Sequence, residues 1–98
     1  MGRYLAMWEV DQSRVPVDGK EIAVAWSLLL ELVKQDLKSS TMKDWGSFVG
    51  ETNGYAIHEG TEVEVTAGLA KYAPYVIWKI HALVSVSQMG EILKKMSG

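Results

Sequence analysis

The stretch Arg-Tyr-Leu-Ala-Met-Trp-Glu-Val at residues 3–10 constrains the fold more than any other part of the chain. It contains no breaker, is rich in bulky and aromatic residues, and at eight residues suits a strand better than a helix. As a strand it places Tyr4, Ala6, Trp8 and Val10 on one side and Leu5 and Met7 on the other. Both sides are apolar, so the sheet that holds it needs cover on both faces. The run Tyr75 to Ala82 repeats the pattern, with Val76, Trp78 and Ile80 opposite Tyr75 and Ile77.

The residues between these runs are punctuated by helix starts. Asp18 with Glu21 three residues on forms a capping-box pattern, and Val17 and Ile22 occupy the staple positions around it. Ile22, Trp26, Leu29, Leu30, Val33 and Leu37 then recur at three-to-four spacing, which predicts one long amphipathic helix ending near Ser39. Trp45 to Glu51 and Tyr55 to Glu59 read as strands flanking Thr52-Asn53-Gly54, and Asn-Gly is the strongest short hairpin signal. With Asn53 and Gly54 as the two loop residues, Thr52 faces Tyr55, Val49 faces His58 and Phe48 faces Glu59. Thr61 with Glu64 opens a shorter helix carrying Val63, Leu69 and Tyr72, which ends before Pro74. Ser85 with Gln88 opens a terminal helix with Met89, Ile92, Leu93 and Met96 on one side, and Val84 and Met89 at its staple positions.

Strand, helix, strand, strand, helix, strand and an added helix make a single α+β domain over residues 1–98: a ferredoxin-like βαββαβ unit with a four-stranded antiparallel sheet. Right-handed crossovers place strands one and three parallel at the centre, with strand four beside one and strand two beside three. Both long helices then share one face. The opposite face would display several large side chains, and the simplest cover is a second copy of the same sheet.

In this respect the chain resembles the dimeric α+β barrel superfamily, in which two such sheets pack face to face and enclose a cleft per subunit. It is also similar to a small uncharacterised subset of that superfamily. There the first strand reads Tyr-Leu-Ala-Met-Trp-Glu-Val and the hairpin reads Trp-Gly-x-Phe-Val-Gly-Glu-x-Asn-Gly-Tyr, here Trp45 to Tyr55. The resemblance implies a homodimer and a cleft. The wider superfamily holds cofactor-free monooxygenases, haem-binding enzymes, isomerases and ligand sensors, so it implies no single activity.

Composition narrows the classes. Ten Lys and Arg against twelve Asp and Glu, without a basic run, lack the footprint of a nucleic-acid-binding domain. The apolar runs fall short of the roughly 20 residues of a membrane span, and no charged leader precedes a cleavable segment, so the expected location is cytoplasmic. Without cysteine there is neither a disulfide nor a thiolate zinc site, and two histidines on different strands are a poor metal signal. No cofactor is expected.

His58 and His81 are the acid-base candidates. On the hairpin register above, His58 shares a face with Trp45, Val49 and Ala56. It is either a ligand contact, catalytic base or haem ligand, or a buried histidine satisfied by a neighbour. His81 belongs at the rim. Glu9 and Glu59, read as ends of parallel neighbouring strands, are either an interacting carboxyl pair or two solvated side chains. Lys79 is either a buried amine or an edge-strand gatekeeper. The strand tryptophans, with Met7 nearby, either line a cleft for a flat apolar compound or fill a dimer core.

The leading expectation is a homodimer binding a small apolar or aromatic molecule between sheet and helices, with Trp8, Trp45, Val49, His58 and Trp78 as its contacts. One alternative is a cofactor-independent oxygenase or isomerase using His58 or a strand-end carboxylate. The other is a dimerisation module without a ligand.

Overall fold

The first strand forms as its composition dictates, and its two sides meet different environments. Tyr4, Ala6, Trp8 and Val10 turn toward two helices, whereas Arg3, Leu5, Met7 and Glu9 lie on a face that no helix covers. The computed structural model describes residues 2–14, 18–39, 41–73 and 75–98. Its elements are β1 (Gly2–Val10), a 3-10 turn (Gln12–Arg14), α1 (Gly19–Ser39), β2 (Met42–Ser47), β3 (Asn53–Gly60), α2 (Glu62–Ala70), β4 (Val76–Leu83) and α3 (Val86–Ser97). One sheet of order β2-β3-β1-β4 holds all four strands, antiparallel at every pairing. Element order and strand order are those of the ferredoxin-like arrangement.

The parallel placement of strands one and three is corrected: β1 and β3 run antiparallel. The α1 crossover makes β1 parallel to β2 across one intervening strand. That strand is β3, which returns from β2 through a hairpin and so opposes both. Glu9 consequently pairs with Asn53 and Glu59 with Arg3, at opposite ends of the sheet, and the two carboxylates do not meet.

Local chemistry sets the helices. Asp18 Oδ1 accepts the Lys20 N–H at 3.0 Å to cap α1, while Val17 of the expected staple lies outside the described residues. Both later capping boxes close: Thr61 and Glu64 exchange hydrogen bonds of 2.9 and 3.1 Å, and Ser85 and Gln88 bonds of 2.8 and 3.1 Å. The inward stripe of α1 runs through Ile22, Trp26, Leu29 and Val33 to a buried Asp36, and Leu30 and Leu37 are exposed. On α2 the buried positions are Val65 and Leu69, followed by Tyr72, and Val63 is exposed. Together with Ala6, Val33, Met42 and Ala56 they form the core between sheet and helices.

The β2–β3 hairpin also differs from the Asn-Gly expectation. Its turn is built on residues 48–52, with Phe48 N–H donating to Asn53 O at 2.9 Å and Glu51 N–H to Phe48 O at 3.1 Å. Gly50 takes the positive φ of 74° that the turn requires. Asn53 and Gly54 instead begin β3, opposite Ser47, and Trp45 faces Ala56. Gly54 is needed for space: a Cβ there would meet the Trp8 ring at 2.6 Å and collide with the Gly46 carbonyl oxygen. Trp8 lies under this close approach, its Nε1–H donating to Gly46 O and Tyr55 O, both at 3.2 Å.

The terminal helix is well capped but buries none of its residues. Met89, Ile92, Leu93 and Met96 are all exposed. With α3 unpacked the molecule measures 61 × 26 × 20 Å, and its radius of gyration is 16.3 Å, against about 13 Å for a compact chain of this length.

Replacing Gly54 with Ala is expected to lower the unfolding free energy by about 2–3 kcal/mol in urea denaturation, because the obstacle is backbone and a held indole. Gly90→Ala on α3, where an added Cβ meets nothing within 4 Å, should leave stability unchanged or slightly higher.

Candidate functional site

Aromatic side chains from four separate elements converge beneath the helices. Trp8 and Trp78 stand directly opposite each other on β1 and β4. Trp45 on β2 stacks on Trp8 with ring centroids 5.3 Å apart and planes inclined by 6°. Tyr72, in the turn after α2, meets Trp78 edge-on at 5.7 Å and 71°. Trp26 comes down from α1, so all four tryptophans wall one void of about 40 Å³. Such a volume admits a water-sized group and no more.

Outside this void, and sharing Val10, Trp26 and Leu29 with it as walls, lies a cleft of about 390 Å³. One side is α1, through Ala25, Leu28 and Leu32. The other is the segment that leads into β4, through Lys71, Ala73 and Tyr75. Asp11, just past β1, completes the rim, and its Oδ1 accepts from Ser13 N–H at 3.1 Å and Ser13 Oγ at 2.7 Å. The volume falls within the range of small-molecule sites, and the walls are mainly apolar with a few polar groups at the edge.

A buried carboxylate braces the far wall. Asp36 accepts the Tyr72 hydroxyl at 2.6 Å through Oδ2, and Lys71 Nζ bonds to its Oδ1. Burial, followed by the hydrogen bond to the carboxylate and its charge, pushes the Tyr72 hydroxyl above its ordinary pKa. Tyr72 therefore stays protonated and keeps donating.

His58 is 1% exposed and sits beside this network. Its Nδ1 lies 2.8 Å from Thr41 Oγ1, and its Nε2 has no hydrogen-bond partner among the described residues. Burial pushes the imidazole below its ordinary 6.5; the Asp36 carboxylate opposes this shift and the Lys71 ammonium adds to it. The neutral ring is the resident form near pH 7.

Placed against the sequence-based candidates, the site is regrouped. Trp8, Trp45 and Trp78 share the helix-covered face and the small void. His58 shares that face with Trp45 and Ala56 but borders neither cavity. Val49 is not opposite His58; it is fully exposed in the hairpin turn, because the turn lies earlier in the chain than Asn-Gly implied. Met7 is on the opposite face from the tryptophans, as strand alternation requires. Lys79 and His81 are exposed on that open face of β4, an edge strand, which fits Lys79 as a gatekeeper. Among the described residues no group of three or more His, Cys, Asp or Glu is placed to hold a metal ion, and no helix is long and apolar enough to cross a membrane.

Compared with models of known protein families and with curated proteins, the sequence matches none. The site has to be read from its own geometry.

Ala25, Leu28, Leu32, Lys71, Tyr75 and the brace at Asp36 escaped the sequence reading. A signal existed for the last of these: Asp36 continues the three-to-four spacing of Trp26, Leu29 and Val33, and a charge on an apolar stripe marks a buried, paired group.

His58 supplies a pH test. Its folded pKa lies below its unfolded value, so between the two the unfolded chain binds the extra proton and stability falls as pH drops through about 6.5. Above that pH the contribution is fully present. The unfolding free energy of the parent minus that of His58→Asn should rise with pH through this window, by at most about 1.4 kcal/mol per pH unit, and level off above it. Urea titrations from pH 5.5 to 8 check this.

Proposed function

We propose that the protein binds a small apolar or aromatic molecule in the cleft between α1 and the segment entering β4. The cleft of about 390 Å³, which shares Val10, Trp26 and Leu29 with the tryptophan void, carries this reading. Leu28 and Tyr75 face this space from its two sides and are both exposed, so their apolar surface is free for a ligand to cover. The two ionisable groups at the rim already have bonding partners, Ser13 for Asp11 and Asp36 for Lys71, which favours binding over acid-base catalysis.

The same reading makes the functional unit a homodimer joined through the open sheet face. Leu5, Met7, Tyr55 and Ile57 occupy the middle of that face on β1 and β3; Arg3 and Glu59 close one end, Glu9 and Ile77 the other, and Lys79 and His81 on β4 and Asp44 on β2 flank them. An apolar centre with a rim of both charge signs can pair with its own copy. The unburied stripe of α3 adds apolar surface to what a second copy can cover, toward the roughly 800 Å² per subunit of a stable interface.

Intrinsic tryptophan fluorescence should shift on titration with naphthalene-based ligands, since Trp26 lines both cavities. Ala25→Phe, which fills the cleft from α1, should weaken that response at least about tenfold with the fold intact; an unchanged response would count against the cleft. Sedimentation at micromolar concentration should give a dimer. The double variant Met7→Asp, Ile57→Asp should sediment as a monomer, and a monomeric parent would defeat the pairing.

A further inference from the structure

We infer that α3 is an exchanged arm: in the homodimer each copy lays the apolar stripe of its α3 on the open sheet face of the other, so that two helices lie between the two sheets. The inference rests on the homodimer through the open face proposed above and specifies what covers that face. It starts from a helix that its own chain leaves bare. The five apolar residues of α3, Val86, Met89, Ile92, Leu93 and Met96, are all exposed. On an α-helix they share an arc of roughly 120°, with Glu91, Lys94 and Lys95 on the opposite side. A helix of 12 residues with Gly90 near its middle is marginal in water unless such a stripe is buried. Only Val84 and Ser85 separate it from β4, and Ser85 is engaged in the capping box with Gln88, so α3 stands off the domain in a molecule 61 Å long.

The open face is shaped to receive a helix rather than another sheet. Its apolar centre is two strands wide: Leu5 and Met7 on β1 face Ile57 and Tyr55 on β3, with Ile77 at one end. Asp44 on β2 flanks this strip on one side, Lys79 and His81 on β4 on the other, and all three are exposed. Two sheets packed directly stand about 10 Å apart, which would confine the flanking groups of both copies in one apolar layer, a costly burial of charge. A helix laid along the strip covers its apolar centre and lets the longer side chains beside it reach water. The lengths also agree. From the level of Leu5 to that of Ile77 the strip runs about 13 Å along the strand, and the α3 stripe from Val86 to Met96 is about 15 Å long.

Charge and symmetry select a second copy as the occupant. With histidine neutral, α3 carries Lys94 and Lys95 against Glu91, an excess of one positive charge. The border of the open face carries Glu9, Glu59 and Asp44 against Arg3 and Lys79, an excess of one negative charge. Both bare surfaces belong to the same chain, so a second copy supplies the cover that each of them lacks. Exchange about a two-fold axis makes the contact twice and closes, leaving neither surface over.

The chain has no cysteine, which allows a pairwise crosslinking test on full chains. Leu93→Cys chains mixed with Met7→Cys chains under mild oxidation should give the mixed disulfide in excess of either self-disulfide, because each arm meets the other copy's face. A self-disulfide of either variant as the main product would overturn the inference; through Met7→Cys it would mean sheets in direct contact, and the homodimer would stand. Sedimentation gives a second readout. The double variant Ile92→Glu, Leu93→Glu alters only exposed positions, so the domain should stay folded while self-association weakens at least about a hundredfold. An undiminished dimer would also overturn the inference, since α3 would then be left for some other protein or surface. A monomeric parent would remove the homodimer and the inference together.

Discussion

Asp36 is drawn into the interior from α1 and held there by two consecutive residues of another segment, Lys71 and Tyr72. Asp36 and Tyr72 are buried and the Lys71 ammonium is half exposed, so the carboxylate's bonds to this turn help offset the cost of its desolvation. Together the three groups tie the long helix to the turn between α2 and β4. The turn then carries Tyr72 against Trp78, and Lys71, Ala73 and Tyr75 along the cleft. The separation between α1 and β4, and with it the width of the cleft, follows from where one carboxylate is pinned.

A second constraint acts from the sheet side. On the open face the space over Gly46 is taken by the Tyr55 ring; on the helix-covered face Gly54 lets β3 and β2 approach so closely that a Cβ there would run into the Gly46 carbonyl oxygen. The space gained is taken by the Trp8 indole, which bonds across to both strands. Trp45 then stacks on Trp8 and completes the floor of the void. Backbone proximity here is what fixes aromatic orientation, which is the reverse of the usual order in which side chains set the spacing.

Much of this was legible in the chain and some of it could not be. Capping boxes are local, so Thr61–Glu64 and Ser85–Gln88 read correctly and located the starts of two helices to the residue, whereas α2 ends at Ala70 and leaves Tyr72 in the turn beyond it. The hairpin turn was misplaced, yet the side-chain faces of Trp45, Ala56 and His58 were right. From Asp44 to Ser47 the expected and observed registers differ by six residues, an even number, and strand alternation has a period of two; only beyond the bulge between Met42 and Asp44 does the parity change. Val49 was lost because it passed from strand to turn, where that parity no longer applies. The antiparallel direction of β3 relative to β1 follows from the element order itself, a hairpin return after a parallel crossover. Asp36 and the cleft depend on residues about 35 positions apart, and no local window brings α1 to the segment before β4.

The chain thus leaves two kinds of apolar surface uncovered, and their shapes argue for different occupants. The cleft is concave, mainly apolar and bordered by fixed polar groups, which are features that discriminate among small molecules. The open sheet face and the α3 stripe are broad; such surfaces gain from area and exclude water without choosing chemistry. The two also lie on opposite sides of β1, with Trp8 facing one and Met7 the other. A second copy covering the open face would therefore leave the cleft accessible. The two-sided strand β1 is what would let the proposed association and the proposed ligand binding use separate faces of one small domain.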